Sequence, residues 1–206
     1  HDMGRGINNA LNVIFPGVAR VICHFHLLRD IGKDLLGNAY KNVRKSLSAK
    51  QVYADIRYQT KALEKLIGDS KKARNLFYRI NDSTKNLSEL LHGILYGYLQ
   101  ELKSHEYSGD GYGFPFDRPK LLYYNNIKRI YTEMEAIENL QVFHYDLLGK
   151  CRFYKIKEVL SRVLSDKELD GEVGDLELHI EYFDRLRNIM RIAMPYHFLQ
   201  LLHCFL

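Results

Sequence analysis

Several kinds of segment are missing from this 206-residue sequence, and each absence narrows the classes of protein to consider. No apolar run is long enough to cross a bilayer, because charged residues interrupt every candidate, so we expect no membrane partner. The first residues lack a basic stretch followed by an apolar one, so we predict no signal peptide. The three cysteines (Cys23, Cys151 and Cys204) are odd in number and widely spaced, which disfavours a disulfide framework and favours a reducing compartment.

The common catalytic motifs are missing as well. The sequence contains no glycine-rich phosphate loop, no serine elbow and no zinc-protease helix motif. It also has no internal repeat and no low-complexity segment. The hydrophobic content of 46% permits a buried core, and the length permits one ordinary domain or a small core with a large appendage. The net charge of +5 permits contact with nucleic acid but does not demand it.

The first 36 residues have the pattern of an α/β layer. Glycines at positions 4 and 6 allow a tight strand-to-helix turn after Asp2. Apolar residues at helical spacing predict a helix from Ile7 to Ile14, which Phe15-Pro16-Gly17 ends. The short β-branched run Val18 to Cys23 predicts a buried strand, and helical spacing resumes from Phe25 to Leu36. Asp2 would then lie at the carboxyl end of a strand, where it could hold a hard cation such as Mg²⁺ or simply cap a turn.

The pattern of the rest of the chain predicts a series of consecutive helices. We predict helices over 38–47, 48–68, 71–80, 87–99, 121–140, 151–164 and 176–193. Ser48, Asp69, and Asp82 or Ser83 are the expected N-caps, an acidic connector is expected over 165–175, and Pro195 is expected to stop the last helix. Gly93 and Gly97, four residues apart, predict a close helix–helix contact.

One long loop, from Ser104 to Pro119, interrupts the helices. It contains three glycines, several aromatic residues and two prolines. Long ordered loops are often functional, but the aromatic residues favour a loop that packs over the core.

Two further groups of residues admit a functional and a structural interpretation. Cys23 and His26 have the spacing of half a zinc site, but without a second pair of ligands a buried cysteine and a histidine that caps the following helix are the favoured interpretation. Two basic clusters, each with a tyrosine nearby, could follow a phosphate backbone or could be solvated helix faces. These clusters contain Lys41, Arg44 and Lys45, and Lys71, Lys72 and Arg74.

The opening segment, Asp2-Met3-Gly4-Arg5-Gly6 followed by Phe15-Pro16-Gly17 and by Cys23-His24-Phe25-His26, resembles the DDE transposases of insertion sequences and Mutator-like elements. The segment from Gly111 to Pro119 is also similar to one found in such transposases. The resemblance covers about the first sixth of the chain, and the helical remainder agrees only in type. It implies a mainly α chain, in which residues 1–36 are a small α/β remnant of an RNase H-like core and residues 37–206 are an all-helical insertion.

The resemblance also implies a site. Asp2 matches the second catalytic aspartate, a ligand of two Mg²⁺ or Mn²⁺ ions, and Cys23 and His26 match a Cys-x-x-His signature. The first aspartate and the last glutamate are expected outside this sequence, since Glu133 and Glu135 fit the last position poorly after Asn125-Asn126. The chain alone is therefore expected to be inactive.

The implied activity is metal-dependent cleavage and transfer of DNA strands during transposition. The implied partners are transposon-end and target DNA and, in the full-length protein, further copies of the chain, and the implied location is the prokaryotic cytoplasm at the nucleoid. Two other hypotheses stay open. One is a non-catalytic helical module that binds DNA or protein, and the other is a small zinc-stabilised domain built on Cys23 and His26.

Overall fold

The computed structural model describes residues 5–14, 16, 24–80, 86–106 and 113–203, and for some of these, including 193–203, the backbone alone. The regular secondary structure of this described part is entirely helical, and the part contains no strand. The prediction of a mainly α chain is confirmed. The predicted strand Val18 to Cys23 lies outside the described residues, so the α/β remnant is not shown.

The helices, numbered in chain order, are α1 (Arg5–Ile14), α2 (His24–Ala49), α3 (Val52–Ile67), α4 (Ser70–Tyr78), α5 (Leu87–Glu106), α6 (Pro119–Glu138), α7 (Tyr145–Lys150), α8 (Phe153–Leu164) and α9 (Lys167–His203). The two longest helices, α2 and α9, pack along each other. Helices α3, α5, α6 and α8 form the rest of the body, and α4 lies across α5.

Helix α2 corrects the prediction that a helix ends before Gly37. It runs unbroken for 26 residues because Leu36, Tyr40 and Val43 are buried on one face. Glycine in a helix costs about 1 kcal/mol relative to alanine. Burying each of these large side chains contributes roughly 1.5–3 kcal/mol, so packing outweighs the local preference. The boundary between residues 1–36 and 37–206 falls inside this helix, and the division stays a prediction.

The predicted helix ends were partly right. Asp69 caps α4 as expected, since its carboxylate accepts the Lys72 N–H at 2.7 Å. Ser48 does not cap a helix; its hydroxyl donates to the Arg44 carbonyl within α2. Asp82 and Ser83 lie outside the described residues, and Asn86 accepts the Ser88 N–H at 3.0 Å at the start of α5.

The last helix is longer at both ends than expected. The predicted acidic connector over 165–175 is wrong, because α9 begins at Lys167, and the buried residues Leu169, Val173 and Leu176 hold this stretch helical. The predicted stop at Pro195 is also wrong, since α9 runs on to His203. Proline fixes φ at a helical value and removes one hydrogen bond, so a helix can pass through it at a cost of about 3 kcal/mol.

The close contact predicted at Gly93 and Gly97 is confirmed. A Cβ atom added to Gly93 would lie 2.9 Å from the Leu76 carbonyl oxygen, and one added to Gly97 would lie 2.5 Å from the Phe77 ring. The two glycines therefore allow α4 to lie directly on the backbone of α5.

Candidate functional site

The start of α2 carries the one signature residue whose side chain the structure describes, His26. Its ring is partly buried, and Nδ1 is buried without a hydrogen-bond partner in the described part of the chain. Asp2 and Cys23 lie outside that part, so their relation to His26 stays a prediction. Among described residues, no group of three or more His, Cys, Asp or Glu side chains could hold a metal ion.

A turn formed by residues 113–118 packs against this end of α2. Phe116 stacks on Phe25, with ring centroids 5.3 Å apart and planes 22° apart, and also contacts Phe183 of α9 at 5.9 Å. Phe114 contacts Tyr40 at 4.9 Å. For its described part, the loop therefore packs aromatic rings over the core, which was one of the two interpretations of the loop. The structure thus brings together two segments that carry the family resemblance.

The fit of this turn depends on a glycine. A Cβ atom added to Gly32 would lie 2.3 Å from Cγ of Pro115 and 2.7 Å from the Phe183 ring. Pro115 is buried and follows a cis peptide bond. Gly32 therefore allows the turn and α9 to approach the α2 backbone.

An ion pair connects the same turn to α9. The Arg118 guanidinium donates to both carboxylate oxygens of Asp184, at 3.0 and 3.4 Å, and its Nε donates to the Pro115 carbonyl at 2.9 Å. The Arg118 side chain is only 15% exposed, so this pair is less screened by solvent than a surface pair. Two-point pairing also fixes orientation, so the turn is held in one position.

Of the predicted DNA contacts, all six side chains are exposed on α2 and α4. The main packing partner of α2 is α9, and that of α4 is α5. Arg74 also hydrogen-bonds Tyr96, whose hydroxyl contacts Glu64, and this ties it to the helical body. Whether these residues contact DNA stays a prediction.

Sequence reasoning missed the grooves of the surface, because they are built from helices far apart in the chain. One groove holds two cations and two carboxylates that pair with each other, Lys50 with Asp166 and Arg162 with Asp55. A hydrogen bond from the Leu169 N–H and the Lys50 ammonium hold the pKa of Asp166 below its usual value. A second groove, between α2 and α9, is acidic and contains Asp34, Glu172, Asp175 and His179.

A third groove differs from these two in charge. It lies between α3 and the junction of α7 with α8, and its charged lining residues are all cationic: Lys65, Lys150, Arg152 and Lys155. Lys150, Arg152 and Lys155 are close in sequence but match no motif, and only the fold brings Lys65 to them.

Comparisons of the chain with protein-family models, with curated proteins and with solved structures gave no match. In the described part of the chain, no helix combines the length and the apolar character needed to span a membrane.

Proposed function

We propose that this chain is part of a DDE-type transposase and that its helices are the insertion domain of an RNase H-like catalytic core. The reaction would be metal-dependent cleavage and transfer of DNA strands during transposition. The residues of the opening segment carry this proposal, since they resemble the catalytic-strand end and the Cys-x-x-His signature of such enzymes.

One structural observation supports the proposal most. Helix α2 begins within the signature, two residues before His26, and is 26 residues long, and the turn over 113–118 packs on its first residues. An insertion that covers a catalytic site needs a rigid connection to the core that carries the site. A continuous helix, braced by Phe116 and by the Arg118–Asp184 pair, provides such a connection.

In this proposal Asp2 is one of three carboxylates that hold two Mg²⁺ or Mn²⁺ ions. Carboxylate oxygens are ligands that these hard cations prefer, and one carboxylate alone is not enough to hold them. The metals, when bound, stabilise the attacking and leaving oxygens of the phosphate. His26 and Cys23 would order the neighbourhood of Asp2 rather than touch the DNA.

The lysine and arginine residues of α2 and α4 would contact the phosphates of transposon-end and target DNA. Such contacts position a duplex without reading its sequence. The cluster on α2, which contains Lys41 and Lys45, lies on the helix that also carries the signature, so it is the better placed of the two.

The experiment is a cleavage assay on the longest polypeptide that carries this sequence. A donor plasmid with the gene and its flanking DNA is the substrate, with Mg²⁺ or with EDTA. Mg²⁺-dependent nicking that Asp2→Ala abolishes and that the exposed control Asp146→Ala retains supports the proposal. Nicking that survives Asp2→Ala, or an absence of any cleavage by the unsubstituted protein, contradicts it.

A specific observation favours the non-catalytic alternative, a helical interaction module. Four apolar residues of α9, Leu178, Tyr182, Ile189 and Ile192, recur at helical spacing and are each 49–66% exposed. Exposed apolar patches mark surfaces that bind other chains or other parts of the same protein. If the protein with Asp2→Ala retains its function and the protein with Ile189→Lys loses it, the chain is better explained as a non-catalytic interaction module.

The zinc alternative has its own test. The unpartnered Nδ1 of His26 is compatible with a metal ligand, so stoichiometric zinc in the purified protein, lost in Cys23→Ser, would favour a zinc-stabilised domain.

A further inference from the structure

The cationic groove between α3 and the α7–α8 junction has a volume of about 470 Å³ and is open to solvent. Four of its lining residues are cationic, namely Lys65 from α3, Lys150 from α7, Arg152 from the junction and Lys155 from α8. None of the residues that line it is acidic. The side chains converge on one space although they come from three helical segments.

Within the part of the chain that the structure describes, these charges are not neutralised. Lys65 and Lys150 form no ion pair with a described residue, and Lys155 approaches Glu158 only at 3.6 Å, with both side chains about 70% exposed. Exposed pairs of this kind are weak and screened by salt. Arg152 donates to the neutral amide oxygen of Gln59 at 2.8 Å, and no described carboxylate pairs with its charge. Cations held together in this way attract a polyanion.

Arg152 is held in place by its surroundings. Its backbone adopts the left-handed conformation, with φ of 65°, which is unfavourable for a long side chain. The residue stands just before α8, and its guanidinium lies 6.0 Å from the centroid of the Tyr58 ring. Because Gln59 is buried, the hydrogen bond to it anchors the guanidinium to α3 at the edge of the groove.

Surfaces suited to bases lie in the groove and beside it. Leu66, one of the lining residues, is 49% exposed, and the Tyr58 ring beside Arg152 is 64% exposed. An exposed aromatic ring among cations is the arrangement with which proteins bind single strands, since the ring stacks on an unpaired base while the cations contact phosphates. A duplex keeps its bases stacked inside and would leave Tyr58 and Leu66 without a partner.

We propose that this groove binds a single-stranded segment of DNA, with Lys65, Lys150, Arg152 and Lys155 on the phosphates and Tyr58 stacked on a base. The site is separate from the basic clusters of α2 and α4. In the proposed function, strand cleavage exposes single-stranded segments, and this groove would bind one of them. Binding at the groove does not require that the chain be catalytic.

The test measures binding of a fluorescein-labelled 20-nucleotide oligodeoxythymidine by anisotropy over a range of salt concentrations. The groove variant is Lys65→Gln/Lys150→Gln/Lys155→Gln. The matched control is Lys33→Gln/Lys128→Gln/Lys167→Gln, which replaces three exposed lysines outside the groove. Removing three positive charges lowers the formal net charge equally in both, from +5 to +2.

We expect the groove variant to bind about 100-fold more weakly at 0.1 M salt, and its plot of log K against log salt to be less steep by about 2, since each phosphate contact contributes roughly 0.7 to that slope. The control should differ from the unsubstituted protein by less than threefold. Tyr58→Ala should weaken binding about tenfold and Tyr58→Phe should not, because stacking needs the ring and not the hydroxyl.

Three results would overturn the proposal. The first is equal loss in the groove variant and in the control, which would make the effect one of net charge. The second is a 20-base-pair duplex, or a polyglutamate peptide of equal charge, bound as tightly as the single strand. The third is full binding by Tyr58→Ala.

Unchanged helical circular dichroism in every variant confirms that they are folded. Cleavage lost with Asp2→Ala and unaffected in the groove variant would separate failure of this site from failure of the catalytic proposal.

Discussion

Phe25 and Phe116 stack across the junction between the start of α2 and the turn over 113–118, with ring centroids 5.3 Å apart. The contact joins the residue beside the signature histidine to the turn that precedes α6. We expect a double-mutant cycle of Phe25→Ala and Phe116→Ala to give a coupling energy of about 0.5–1.5 kcal/mol, which is typical of aromatic pairs. Urea unfolding of the four proteins measures it. Strict additivity of the two substitutions would mean that the rings do not stack in solution.

Gly32 and Gly37 lie in the same helix and should respond oppositely to alanine. A Cβ atom at Gly32 collides with Pro115 and Phe183, whereas one at Gly37 meets nothing within 4 Å. We expect Gly32→Ala to lower the free energy of unfolding by about 1–3 kcal/mol through overpacking. We expect Gly37→Ala to raise it by about 0.5–1 kcal/mol through helix propensity. Thermal or urea unfolding compares the two, and a stabilised Gly32→Ala protein would rule out this packing of the turn.

His92 on α5 should make stability depend on pH. Its Nε2 is buried without a partner among described residues, and burial lowers the pKa of the ring although Glu89 opposes the shift. With the folded-state pKa below the unfolded value near 6.5, the unfolded chain binds more protons. Stability is therefore fully present above that value and is lost as the pH falls through the folded-state pKa.

The measurement for His92 is the urea midpoint at pH 7.5 and at pH 5.5, with His92→Gln for comparison. The unsubstituted protein should lose more stability over this interval than His92→Gln. His144→Gln, which replaces an exposed histidine, is the control and should retain the full pH dependence. Identical pH profiles for all three proteins would show that His92 titrates normally.

The basic cluster of α2 should contribute to duplex DNA binding if the proposed function holds. In Lys41→Gln/Lys45→Gln, the slope of log K against log salt for a duplex should be less steep by about 2, since each phosphate contact contributes about 0.9. Fluorescence anisotropy with a 30-base-pair duplex measures this, with Lys33→Gln/Lys128→Gln as the control. Equal slopes in the two variants would assign Lys41 and Lys45 to a solvated helix face.

Local sequence signals predicted some of this structure well. The carboxylate of Asp69 accepts a hydrogen bond from the nearby Lys72 N–H whatever the rest of the fold does, so its cap could be predicted. Gly93 and Gly97 predicted a close helix contact on α5, although not that α4 would be the partner. The helix ends predicted at Gly37 and at Pro195 were wrong, because each residue indicates only a local cost in free energy. In α2 the burial of Leu36 and its neighbours exceeds that cost.

The candidate sites were harder to predict than the helices. Arg118 and Asp184 are 66 residues apart, and no period in the sequence connects them. In the cationic groove, Lys65 likewise lies far in sequence from Lys150 and Lys155, and only the fold brings α3 to the α7–α8 junction. The short helix α7 was missed because its six residues are too few to establish a period. For Asp2 and Cys23 the sequence remains the only source, since both lie outside the described residues.

If Asp2 is a catalytic carboxylate of a strand-transfer enzyme, excision of the element from its donor plasmid should require this residue. The measurement is excision frequency in cells that express the longest polypeptide carrying this sequence, or the same polypeptide with Asp2→Ala or with Asp146→Ala. We expect excision with the unsubstituted protein and with Asp146→Ala, and none above background with Asp2→Ala. Excision at an undiminished frequency with Asp2→Ala would contradict this role of Asp2.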